Sequence, residues 1–514
     1  MTHFSALDYT LFLIYLIASV LVGLLFVKEQ RTMKDFFLAG RSMGSVVVAI
    51  SVMAAMFSGI SYLGGPAEVY KNGLGFGWVL FSFFIATPVT TIFILPFFYK
   101  ARFITAYQYL EERFSLPARL LASGLFILRV LLWLGAATYA PALALEQATG
   151  LPLQFSILAT GVLTTVYTMM GGMKAVIWTD VMQFGVLFGG QVVILLVALD
   201  KIPGGMAEVL EVAKTHGQAL PSSNIDLTTR VSWLGIILGG AVLNLVQMAT
   251  DQVAVQRYMT AKDVKTAQRG LWYKLAVTIP VLGLFYGTGS VLRAYYNHVP
   301  DPLATNAIKD ADQILPWFVV HELPSGMAGV LIAAIFAASM STISAGLNSL
   351  ASATMIDFQQ RLSTKPLPPD EKQIFHARLW TLLYGGLVIA LAFLVSRLGT
   401  LVEATNTVIG LVGGPILGMF LSGIFIRRIS SKGILIGTVF GFALSLAAAT
   451  WRGGTPIMEA GSQTPEPAKI SFIWLTTIGC AATMLLAWVL SFVFPGKPAS
   501  ELKGLTWQQR DDGE

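Results

Sequence analysis

A chain of 514 residues would ordinarily divide into three or four soluble domains, yet only 12% of this one is charged, against about 25% in ordinary globular proteins. With 55% apolar residues and a mean hydropathy of +0.69, it lacks the charge to coat a water-facing surface, and its long uncharged runs name lipid as the solvent. The formal charge of +6 is scattered between apolar segments, which excludes a nucleic-acid stripe; the single cysteine, Cys480, excludes a disulfide framework, and the histidines lack metal-ligand spacing.

In chain order, runs of about 20 apolar residues, enough to span a bilayer, occur at 8–27, 45–66, 75–99, 118–144, 151–171, 175–200, 231–256, 268–292, 322–357, 375–396, 400–426, 433–451 and 471–494. The first has no basic residue before it and Lys28, Arg31 and Lys34 after it, the reverse of a signal peptide. It is expected to remain as a span with its N-terminus outside. Lipid-exposed backbone must bond internally and period-two alternation is missing, so all-α spans are expected rather than a barrel.

Lys and Arg gather in 28–44, 100–119, 257–270, 358–378, 427–432 and the tail. Through thirteen alternations these loops fall on one side, so the positive-inside rule places the C-terminus in the cytoplasm. The expected organisation is an extra N-terminal helix and cytoplasmic loop (1–44), a five-helix block (45–200), an external loop (201–230), a second five-helix block (231–427), two peripheral helices (428–495) and a cytoplasmic tail (496–514).

The first helix of each block carries the marks of a break. One reads Ala54-Ala55-Met56-Phe57-Ser58-Gly59-Ile60-Ser61, followed by Gly64-Gly65-Pro66. The other has Gly239-Gly240, then Asn244, Gln247, Thr250, Asp251 and Gln252. Small residues also serve plain helix packing, but interruptions at matching places in two halves point to a midplane site.

The run Asp35-Phe36-Phe37-Leu38-Ala39-Gly40-Arg41-Ser42 resembles the opening signature of the sodium:solute symporter family. Gly171 to Gln183, Ala338 to Asn348, Val255-Gln256-Arg257 and Tyr139-Ala140-Pro141-Ala142-Leu143 are similar to further segments of it. The resemblance runs from about residue 5 to 450 and implies the inverted five-helix repeat of leucine-transporter-like proteins. Pro66-Ala67-Glu68-Val69-Tyr70 is most similar to the iodide, monocarboxylate and multivitamin branch.

Sodium wants several hard oxygens. Ser341, Thr342 and Ser344 share one broad helix face with Ala338; they serve either a cation or their own helix carbonyls. The family pattern implies sodium held by Ser341 and Thr342 with carbonyls of Ala54, Phe57 and Ala338. Asp180 and Gln183 open the sixth run, where Asp180 is either a helix cap or a way-station on the sodium exit path. The family pattern allows a second sodium between Asp180 and Ser344, although Ala345 replaces a hydroxyl. Arg129, a lone cation in an apolar run, costs about 2.5–3.5 kcal/mol on insertion scales. It either clamps a substrate carboxylate or snorkels or pairs with a protein acid such as Glu403. Ser58, Gly59, Ser61, Gln183, Asn244 and Gln247 complete the expected solute site.

The second core helix is apolar at Leu80-Phe81-Ser82-Phe83, where the family's sugar carriers place an acid, and Lys274 does not align securely with their site lysine. The expectation is therefore sodium-coupled uptake of a small organic anion at the cell membrane, with Na+ as the co-transported ion and lipid as the surroundings. No nucleic acid or obligate protein partner is expected. A neutral-solute symporter or a sodium sensor on the same fold is the alternative. A membrane enzyme is not expected, since no HExxH motif, nucleotide loop or embedded histidine occurs.

Overall fold

The computed structural model describes residues 4–100, 103–395, 401–453 and 468–509, and its regular elements there are helices. In chain order the larger ones are α1 (Ala6–Leu25), α2 (Ser45–Met56), α3 (Gly59–Asn72), α4 (Leu74–Tyr99), α5 (Leu116–Thr149), α6 (Leu153–Asp200) and α7 (Gly235–Thr250). After these come α8 (Gln252–Tyr258), α9 (Val264–Tyr295), α10 (Met327–Gln360), α11 (Asp370–Val395), α12 (Leu401–Phe425), α13 (Ser431–Thr450) and α14 (Phe472–Leu490). Among the described residues, 10 helices are long and apolar enough to cross a membrane, or up to 12 if each of two bent pairs is one span.

Thirteen spans are reached only if α6 counts twice. The runs 151–171 and 175–200 form one helical element of 48 residues, which at about 1.5 Å per residue is more than twice a hydrocarbon core of roughly 30 Å. Gly172 interrupts it with φ 57° and ψ −168°, a conformation that only glycine adopts readily.

Both bends fall where the two blocks begin. α2 and α3 meet at 64° and α7 and α8 at 56°. The first turns on Phe57 (φ −98°, ψ 81°) and extended Ser58, ahead of the Gly-Gly-Pro run, which continues inside α3. The second turns on Asp251 (φ −79°, ψ 120°), well beyond Gly239-Gly240, after π-helical turns at Gly235–Gly239 and Val246–Thr250.

At the centre lies α10, whose most apolar window is 94% buried. Its first turn is held by Asp8 of α1, which accepts from the Gly326 and Gly329 amides at 2.8 and 2.7 Å. A carboxylate there is favoured by the helix dipole. α3 approaches α10 so closely that a Cβ on Gly59 would sit 1.9 Å from Ser339 Oγ. Packing therefore explains this glycine.

Two loop cations of the sequence reading are interior. Arg113 is fully buried and donates to the Gly423, Ile426 and Arg427 carbonyls at the end of α12. Arg257 lies in the last turn of the short α8, which the Asp251 bend turns inward, and is also fully buried.

Candidate ion and solute site

A helix ending at Met56 leaves carbonyls without amide partners one turn on. Two of these are reached by hydroxyls of α10. Ser341 Oγ donates to Ala54 O at 3.0 Å and Ala338 O at 3.0 Å. Thr342 Oγ1 donates to Ala55 O at 3.0 Å and Ala338 O at 3.2 Å. Ala54, Ala338, Ser341 and Thr342 are thus brought together as the sequence reading expected, with Ala55 added. The Phe57 carbonyl, at the bend itself, receives no hydrogen bond among the described residues. These oxygens are buried, hard and uncharged, which suits an alkali cation.

Asp180 is also fully buried. Its Oδ2 accepts from Ser51 Oγ at 2.6 Å and from Arg257 Nη2 at 2.9 Å, and both ionic partners are fully buried. This pairing corrects the reading of Arg257 as a loop cation. Asp180 Oδ1 and both amide atoms of Gln183 are buried without hydrogen-bond partners among the described residues. Ser344 donates to the Ser341 carbonyl at 3.0 Å rather than to Asp180.

Between the two bent helices lies a cavity of about 150 Å³. Phe57, Ser61, Asn244 and Gln247 of the expected set line it. Ser58, Gly59, Gln183 and Arg129 are not among its lining residues. Arg129 Nη2 instead meets Asp251 Oδ2 at 2.5 Å, with the two side chains 2% and 7% exposed. The protein-acid reading of Arg129 therefore replaces the carboxylate clamp, with Asp251 as the acid. The Glu403 side chain lies outside the described residues.

Sequence reasoning missed the cavity's aromatic walls at Phe76, Phe285 and Tyr286, and it set aside Lys274, which lines the cavity. The signal for Lys274 was present, because it and Arg129 are the two cations lying well inside the candidate spans, away from their ends.

Against known families, residues 36–441 match the model of the sodium:solute symporter family. The chain belongs to the sodium:solute symporter family. It is 34% identical to the human sodium-coupled monocarboxylate transporter 1, over 93% of this chain and 78% of that protein. It is 35% identical to the human sodium/iodide cotransporter, over 86% and 69%. Among solved structures it is similar to a substrate-bound, outward-open Na+-coupled sialic acid symporter, with a TM-score of 0.83, 30% identity, and 96% and 99% of the two chains covered. Family membership and these bent helices make the chain a multi-span, sodium-coupled symporter of a small organic solute.

Proposed function

We propose that this symporter carries a small organic anion into the cell together with sodium, by alternating access, in the plasma membrane with its N-terminus outside. The observation that carries the sodium part is the cluster of hydroxyl and carbonyl oxygens joining the end of α2 to the middle of α10. A cation shared by these groups ties one bent helix to the central helix. Its arrival from outside favours the arrangement in which the solute cavity is complete; low internal sodium favours its loss. One Na+ carried with one monoanion moves no net charge, so with one ion the sodium concentration gradient alone drives uptake; a second sodium would add about 2.3 kcal/mol per 100 mV. Asp180, with one carboxylate oxygen unpartnered, serves the exit path. Ser61, Asn244 and Gln247 meet the solute. The anionic character is supported by the monocarboxylate relative.

The test is uptake into proteoliposomes with sodium or choline outside. Wild type should concentrate solute only in sodium. Ser341→Ala and Thr342→Ala should each raise the half-saturating sodium concentration at least about tenfold, the value of one hydrogen bond to a charged group. Equal uptake in choline, or unchanged sodium dependence in both variants, overturns the proposal.

A further inference from the structure

We infer that Lys274 is the counter-ion for a carboxylate on the transported solute, and that the solute is a monocarboxylate with an apolar body; this rests on the symport reading above and deepens it. Lys274 projects from α9 and is 1% exposed. An ammonium has three donors to satisfy. Among the described residues it finds only the Met248 thioether at 3.9 Å and the face of Phe83, whose centroid is 4.3 Å from Nζ. A thioether is a weak acceptor, and a ring face supplies no lone pair. No carboxylate of the described residues is paired with it. By contrast Arg129, Arg257 and Arg119 all have buried acids as partners.

The lysine is also not buried in solid core, for it lines the cavity between the bent helices. A second polar group there is in the same condition: Thr405 Oγ1 is buried and lacks a hydrogen-bond partner among the described residues. Asn244 spends one amide hydrogen on Ser82 Oγ at 2.7 Å. The remaining wall is largely aromatic and thioether, with Met53, Met56, Phe57, Phe76 and Phe285. One cation awaiting an anion, set in apolar surroundings, describes a solute with a single carboxylate and few hydroxyls. A charge-assisted hydrogen bond from the ammonium would supply most of the discrimination between that carboxylate and a neutral isostere.

The experiment uses four probes, propanoate and benzoate with their primary amides, on wild type, Lys274→Met and Lys274→Arg in proteoliposomes. Equilibrium binding of each probe and of ²²Na+ is measured alongside uptake. Wild type should prefer carboxylate to amide. Lys274→Met should raise the KM for both carboxylates at least thirtyfold and lose that preference, while half-saturation by ²²Na+ stays within threefold, which shows the variant is folded. Lys274→Arg should recover part of the carboxylate preference. Sodium-driven carboxylate uptake with an unchanged KM in Lys274→Met overturns the inference and leaves symport standing. Carboxylate binding that depends on Lys274 without sodium-driven flux overturns symport and leaves the anion site. A wild type that prefers the amides, or binds none of the four probes, overturns the inference as well.

Discussion

Replacing Arg129 with Met should damage the α7–α8 bend rather than solute recognition. Arg129 and Asp251 are 2% and 7% exposed and 2.5 Å apart, so removing one charge strands the other in a medium that solvates it poorly. Breaking such a buried pair costs about 3–5 kcal/mol, or roughly 160- to 5,000-fold in the unfolding equilibrium. Asp251→Asn is the matching single change. Asp251 Oδ1 accepts from the Val253 amide at 2.9 Å, and asparagine keeps that cap while losing the charge. The double variant removes both charges. Since neutral replacement of a whole buried pair is often harmless, it should fall within about 1 kcal/mol of wild type. SDS-titrated unfolding in mild-detergent micelles, read by tryptophan fluorescence, gives all four corners of the cycle. Single variants costing under about 1 kcal/mol, or costs that simply add in the double, would refute the pairing. A weakened solute KM in Arg129→Met at full stability would return Arg129 to the solute site.

Two other outcomes are expected. Gly59→Ala should destabilise the protein by about 1–3 kcal/mol through overpacking, because its Cβ would meet Ser339 Oγ at 1.9 Å; adding Ser339→Ala should recover much of the loss in the same assay. Asp263, in the loop before α9, accepts from the Thr266 amide at 2.7 Å, and that backbone hydrogen bond holds its carboxyl below the usual range. A depressed acid contributes above its unfolded value and loses that contribution as pH falls through its folded value. Asp263→Asn should therefore cost about 0.3–1 kcal/mol at pH 7, and its gap to wild type should close below about pH 4.

Much of this architecture was legible one residue at a time. Phe57 and Ser58 lay in the run that announced the first bend, and the hydroxyls of Ser341 and Thr342 announced the oxygens that meet it. What escaped were pairings between distant parts of the chain. Arg129 and Asp251 are separated by 122 positions, and no local pattern distinguishes a paired arginine from a waiting one. Arg257 looked like a loop cation because it follows the last apolar residues of its run. The bend at Asp251 sends it inward toward Asp180. Lys274 could be flagged as an in-span charge, but its isolation depends on Phe83 and Met248, which arrive from two other helices. The division of α6 was visible in composition. The positive φ at Gly172 that makes the break is a property of the folded backbone.

The oxygens joining α2 to α10 have a consequence for how firmly any ion can be kept. Ser341 and Thr342 already donate to the carbonyls of Ala54, Ala55 and Ala338. A cation sharing those oxygens competes with the two hydroxyl protons for carbonyl lone pairs, so its net gain is a difference rather than a sum. Internal competition of this kind sets a ceiling on grip, and a carrier that must let go of its ion on every cycle needs such a ceiling.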